Sequence, residues 1–173
     1  IEETDFPGKN ENWKGEIKLK DNIINLLSYF QTKYKTTKIV VSNQAGVARQ
    51  YFNCEKVEEI NNYINDLLAK KGIKIDDWQY CPDVDIEYAT LKQDEIEFDE
   101  NFVKEKTKRK PSSQMLLDGL KDLEKDISDF SHVIILGDRQ EDSELAENLR
   151  AVYIDANKSF EEALKKIDAE FNS

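Results

Sequence analysis

Apolar and polar positions in this chain switch between two periods, and the switches mark its elements. After Asp21, which reads as an N-cap, Ile23, Ile24, Leu26, Leu27, Tyr29 and Phe30 recur at the spacing of one helical face to about residue 33. Thr37-Lys38-Ile39-Val40-Val41-Ser42 is a β-branched run of strand length, and Asn43-Gln44-Ala45-Gly46 is the loop that leaves it. Asn53 caps a second helical pattern (Val57, Ile60, Ile64, Leu67, Leu68) that ends at Gly72. Trp78-Gln79-Tyr80-Cys81 is a short strand before Pro82. Pro111-Ser112-Ser113 opens a third helix carrying Met115, Leu116, Leu120 and Leu123. Val133-Ile134-Ile135-Leu136 is an all-apolar strand with Gly137-Asp138-Arg139 at its exit. A short helix over 143–149, a strand over 151–154 and a helix over 160–171 capped by Ser159 complete the order.

Short apolar strands separated by helices predict an α/β fold: a Rossmann-like parallel sheet with helices on both faces. Two stretches fall outside this rhythm. Residues 1–20 are polar and irregular, with Pro7, Gly8 and Gly15 as breakers. Residues 83–108 are dominated by Asp and Glu, then the sign flips at Lys104, Lys106, Lys108, Arg109 and Lys110; this stretch reads as a solvated, variable loop or insertion. The 173 residues otherwise read as a single domain.

In parallel sheets of this kind, ligands sit at the carboxyl ends of the strands. Three loops lie there. Ser42 and Asn43 offer a hydroxyl and an amide that can hold a phosphoryl oxygen beside backbone N–H groups, although a plain exit turn looks the same. Arg109-Lys110-Pro111 places two cations ahead of a helix N-terminus, where carboxylates would be favoured; either an anion sits between them, or they are the solvated end of a basic run. Gly137-Asp138 with Asp142 puts two carboxylates on one loop, hard oxygen ligands suited to Mg²⁺; the plainer reading is a turn and a helix cap. Each signal is weak singly. Their order on alternating strands makes them strong together.

Composition trims the options. The net charge of −11 repels phosphate backbones at long range and argues against non-specific nucleic-acid binding. No apolar run approaches the ~18–20 residues of a membrane span. Two cysteines, Cys54 and Cys81, build no disulfide framework and fit a cytoplasmic setting. The one histidine, His132, lies away from the three loops, and Trp13 and Trp78 read as packing residues.

The stretch Val40-Val41-Ser42-Asn43-Gln44-Ala45-Gly46-Val47-Ala48-Arg49, then Tyr80-Cys81-Pro82, Arg109-Lys110-Pro111 and Gly137-Asp138-Arg139-Gln140-Glu141-Asp142, resembles the haloacid dehalogenase superfamily of phosphatases. It is most similar to a branch with a minimal cap: the histidinol-phosphate, heptose bisphosphate and polynucleotide 3′-phosphatases. The likeness runs from about Trp13 to Ile154. It implies that Ser42 and Asn43 bind the transferring phosphoryl group, that Lys110 neutralises it with Arg109 beside it, and that Arg49 reaches the substrate. It also implies that Asp138 ligates Mg²⁺ and that Asp142 supports the metal or its waters. The family's chemistry is attack by an aspartate carboxylate on a phosphate monoester, then hydrolysis of the aspartyl-phosphate.

Two departures qualify the match. The family's nucleophile lies in an Asp-x-Asp-x-Thr motif ending the central strand, and no such motif occurs here. Ile1–Lys20 has the length of the connection that follows that motif, so the nucleophile strand is expected upstream of Ile1; Asp5 is the nearest Asp to the start. Cys81-Pro82 is followed by Asp83 and by no later cysteine, so the structural zinc of several relatives is not expected. The leading expectation is Mg²⁺-dependent hydrolysis of a small phosphorylated metabolite, a sugar or amino-alcohol phosphate. The alternatives are a DNA-end 3′-phosphatase, disfavoured by charge, and a non-catalytic domain that binds phosphate or a protein.

Overall fold

The computed structural model describes residues 10–172 of the chain; Asp5 lies outside them. In chain order the elements are α1 (Trp13–Glu16), α2 (Asp21–Lys33), β1 (Ile39–Asn43), α3 (Cys54–Lys70), β2 (Asp77–Cys81), β3 (Val84–Asp85), α4 (Ile86–Lys92), β4 (Val103–Lys104), α5 (Gln114–Asp122), β5 (Ile134–Gly137), α6 (Gln140–Leu149), β6 (Val152–Asp155) and α7 (Phe160–Phe171), with single 3₁₀ turns before β4 and β5.

Every strand pair is parallel: β1 with β2, β3 with β4, and β5 with β6. Successive side chains of a strand point to opposite faces, and β5–β6 uses both. Ile134, Leu136, Val152 and Ile154 pack with Leu26 and Phe30 of α2 and Ala163 and Ile167 of α7. Ile135 and Tyr153 point the other way, to Leu145 and Ala146 of α6. The β1–β2 pair is also covered on both faces. Trp78 donates to Asn65 of α3 at 3.2 Å on one side, and on the other Gly119 of α5 lets that helix lie close to Ile39, Asp77 and Gln79.

The β1–β2 and β5–β6 pairs are not joined by backbone hydrogen bonds among the described residues. Lys38 and Gln44 bond toward β2, so by alternation Ile39, Val41 and Asn43 present their N–H and C=O groups to the opposite edge. On β5, the Val133 and Gly137 carbonyls bond toward β6, leaving Ile134 and Leu136 turned outward. Val41 packs into the β5–α6 cluster, so the edge of β1 that carries no ladder among the described residues lies on the β5 side.

Residues 83–108 correct the expectation of a solvated loop. They form β3, α4, a 3₁₀ turn and β4 around a small core of their own, in which buried Val84 and Ala89 meet Ala45 and Ala48, with Tyr88, Phe98, Phe102 and Val103 packed around them. Glu87, Asp94, Glu95, Glu97, Glu100 and Glu105 are exposed on the outside of that unit, while Asp83, Asp85 and Asp99 are half-buried. Backbone and side-chain bonds seat it on the loop after β1: Asp99 N–H donates to the Ala48 carbonyl at 2.8 Å, and Gln50 Nε2 to the Glu97 carbonyl at 3.2 Å.

Candidate functional site

The carboxyl ends of β1 and β5 and the loop before α5 meet through side chains. Asn43, the last residue of β1, accepts the Lys110 N–H on its amide oxygen at 2.8 Å and donates its amide nitrogen to the Lys110 carbonyl at 3.2 Å. The Lys110 ammonium then reaches Asp142 Oδ1 at 2.6 Å, with the two side chains 13% and 7% exposed. The other Asp142 oxygen accepts the Arg139 N–H at 3.2 Å, holding the carboxylate against the first turn of α6. This tuck requires glycine at 137: a Cβ there would lie 2.2 Å from Asp142 Oδ2. Asn148 of α6 ties in the same loop by donating to the Pro111 carbonyl at 3.1 Å.

Asp138 is exposed beside this network. Its field is felt nearby. The Tyr153 phenol, which donates to the Gly137 carbonyl at 3.0 Å, is pushed above its ordinary pKa by burial and then by the carboxylates of Asp155, Asp142 and Asp138. Three carboxylates therefore act on the Tyr153 hydroxyl near the ends of β5 and β6. Asp155 and Tyr153 were not singled out from sequence. Asp155, as the polar residue ending an apolar strand, carried the same signal as Asp138.

The other expected residues divide. Ser42 sits in register beside Asn43, its hydroxyl accepting from Gln44 Nε2 at 2.6 Å. Arg49 and Arg109 turn toward the 83–108 unit. The Arg49 guanidinium lies 5.6 Å from the Tyr88 ring centroid and bonds the Tyr88 hydroxyl, and Arg109 donates to the Asp83 carbonyl at 3.4 Å. Both cations are thus held by that unit. His132 stacks on Phe171 with centroids 4.0 Å apart, and Trp13 is buried edge-on to Tyr63; both are packing residues. Burial pushes the Cys81 thiol above its ordinary value, against the pull of nearby N–H groups and Arg109, which leaves it little thiolate character.

The donor set suits a small hard cation in part. Asp138 offers an accessible carboxylate, while both oxygens of Asp142 are engaged. No group of three or more His, Cys, Asp or Glu residues converges as a metal cage among the described residues. Mg²⁺ commonly keeps several waters and takes only one or two protein carboxylates, so Asp138 with Asp142 behind it is compatible with that ion.

No family model matches the chain. It is 26% identical over 136 residues to a probable D-glycero-D-manno-heptose-1,7-bisphosphate 7-phosphatase of Thermoplasma acidophilum, covering 78% of this chain and 71% of that protein. It is 32% identical over 108 residues to the D-glycero-D-manno-heptose-1,7-bisphosphate 7-phosphatase of Chlorobaculum tepidum, covering 61% and 49%. The histidine biosynthesis bifunctional protein HisB of Actinobacillus pleuropneumoniae matches at 28% over 134 residues, covering 78% and 31%. Against the curated relatives it matches first, the chain therefore spans between about half and seven-tenths of their length. In fold, it is similar to the D,D-heptose 1,7-bisphosphate phosphatase from B. bronchiseptica complexed with magnesium and phosphate, with a TM-score of 0.58 and 18% identity over 88% of this chain and 74% of that one. No helix among the described residues is long and apolar enough to cross a membrane.

Proposed function

We propose that the chain is a haloacid dehalogenase-superfamily phosphatase and that it serves Mg²⁺-dependent hydrolysis of a sugar phosphate monoester. The observation that carries the reading is the Asn43–Lys110–Asp142 network, which holds an ammonium at the junction of the β1 and β5 carboxyl ends. A fixed cation at that point neutralises charge on a phosphoryl group, and positioning with electrostatic stabilisation lowers most of the barrier in such transfers. The Ser42 hydroxyl, at the same strand end, would add a donor for a phosphoryl oxygen. Arg49 and Arg109, held by the 83–108 unit, would face the rest of the substrate. The names of the relatives favour a heptose bisphosphate as that substrate.

Asp138, with Asp142 behind it, would hold Mg²⁺, which when bound screens the phosphate charge and orients its oxygens. The attacking carboxylate would have to sit on a segment between β1 and β5. There the N–H and C=O groups of Ile39, Val41, Asn43, Ile134 and Leu136 turn outward on two edges that carry no ladder among the described residues. An aspartate at its carboxyl end would attack phosphorus, displace the sugar alkoxide and form an aspartyl-phosphate that water cleaves.

The test is phosphate release from heptose bisphosphate and p-nitrophenyl phosphate by the 173-residue chain, with and without an added strand peptide ending in Asp-x-Asp. Turnover is expected with the peptide and Mg²⁺, lost on EDTA and largely lost in Asp138→Asn. Turnover by the chain alone would move the nucleophile into its own residues, Asp5 first. Phosphate binding without turnover under any condition would support a non-catalytic phosphate-binding domain, the reading favoured by the missing Asp-x-Asp motif.

A further inference from the structure

The resemblance assigns Asn43 to the phosphoryl group itself, but its amide is already committed. Oxygen and nitrogen both bond one residue, taking the N–H of Lys110 at 2.8 Å and meeting its C=O at 3.2 Å. Residue 110 lies in irregular backbone, so these two groups have no ladder partner and the Asn43 side chain acts as a one-residue strand for them. Lysine is a compact charge on a flexible four-carbon stem, and its reach is defined only when both ends are held. Here Asn43 holds the backbone end, and Asp142 holds the ammonium end at 2.6 Å. Ser42, the neighbouring residue, differs: its hydroxyl accepts from Gln44 and keeps its own proton to donate.

We infer that Asn43 is a positioning residue that acts on the phosphoryl group through Lys110, not by touching it. This rests on the reading that the Lys110 ammonium faces a phosphoryl group. It makes two residues of the site one device. Binding of an anion then depends on Asn43 only so long as Lys110 is there to be positioned.

The experiment reads the Lys110 ammonium directly, by ¹H–¹⁵N correlation of lysine NH₃⁺ groups, and inorganic phosphate affinity alongside it. A slow-exchanging ammonium signal is expected in the wild-type chain, assigned by its loss in Lys110→Ala. Asn43→Ala should broaden or abolish that signal and weaken phosphate binding about tenfold, equivalent to about 1.4 kcal/mol. In a Lys110→Ala background Asn43→Ala should add nothing. Asn43→Asp, which keeps the acceptor for the Lys110 N–H and loses the donor, should fall between and guards against a variant that does not fold. An unchanged Lys110 signal in Asn43→Ala overturns the inference, as does the absence of any protected Lys110 ammonium in the wild type. A further loss of affinity on adding Asn43→Ala to Lys110→Ala also overturns it, because it means direct contact with the anion. No phosphate binding by a wild-type chain with an intact ammonium signal would instead refute the phosphoryl-site reading, leaving the positioning of Lys110 by Asn43 to be decided by the signal alone.

Discussion

The two strand pairs of the main layer are built from different chemistry. The β5–β6 half is apolar on both faces, with α2 and α7 on one side and α6 on the other, and its polar bonds lie at the strand ends, where Tyr153 donates to the Gly137 carbonyl and Asn22 of α2 to the Ala156 carbonyl. The β1–β2 half is apolar along β1, but on its α5 face it carries Asp77 and Gln79, with Gln79 bonding both Asp77 and Asp122. Hydrophobic burial is non-directional and holds a half together without fixing its register to a neighbour. Directional bonds do that. Among the described residues no backbone ladder joins the halves, and the directional links near their carboxyl ends run from Asn43 through Lys110 to Asp142 and from Asn148 to the Pro111 carbonyl. The groups that bind the halves are therefore the groups of the site.

The sharpest way to break the link is Asp142→Ala, which leaves the Lys110 ammonium buried without its partner. Loss of one member of a buried pair typically costs about 3–5 kcal/mol, and urea unfolding should show a loss of that size. Asp138→Ala, on the same loop but exposed, should stay within about 0.5 kcal/mol. Equal losses would mean that the pair does not tie the halves.

Gly137→Ala tests the same link from beneath. Its Cβ would stand 2.2 Å from Asp142 Oδ2, so the carboxylate must leave its place or the loop must shift. Overpacking of this kind costs about 1–3 kcal/mol, measured as a drop in denaturation midpoint. A neutral result would show that the Asp142 tuck is dispensable.

Two smaller perturbations ask whether the halves open separately. Asn53 caps α3 on the β1–β2 side by accepting the Lys56 N–H, and Ser159 caps α7 on the β5–β6 side by accepting the Glu162 N–H. Each change to Ala should cost about 1 kcal/mol. If the polar link is what joins the halves, native-state hydrogen exchange should rise in the capped half alone. A uniform rise across both would indicate one cooperative unit.

The smallest effect is a pH dependence local to the start of β1. Burial raises the Asp76 carboxyl, but the Lys38 N–H at 2.8 Å and the nearby Lys74 outweigh it and hold the group below its ordinary value. A carboxylate depressed in the folded state stabilises fully above its unfolded value of about 3.9 and loses that contribution as pH falls through the lower folded value. Acid titration should therefore show Asp76→Asn flattening the stability loss below about pH 4, by less than either cap. An identical acid limb in the variant would remove Asp76 from the account.

The elements were legible because each is written in local physics. The helical faces of α2, α3, α5 and α7, the caps Asn53 and Ser159, and the apolar run of β5 all follow from spacing and side-chain type. The three loops of the site were legible too, because parallel strands alternating with helices put their carboxyl ends on one edge. Three things were not. Residues 83–108 looked solvated because their charges outnumber their apolar residues; Val84, Ala89, Tyr88 and Phe102 find burial only against Ala45 and Ala48, nearly forty residues earlier in the chain. The partners of Arg49 and Arg109 were not legible either: their hydrogen bonds run to Tyr88 and Asp83, which come within reach only once that unit has docked. And nothing in Ser-Asn-Gln says that the amide of Asn43 will be spent on the backbone of a residue sixty-seven positions away. Sequence by itself determined which residue types stand at the strand ends. Tertiary structure decided which of them touch, because a hydrogen bond depends on distances of a few tenths of an ångström that only the packed fold sets.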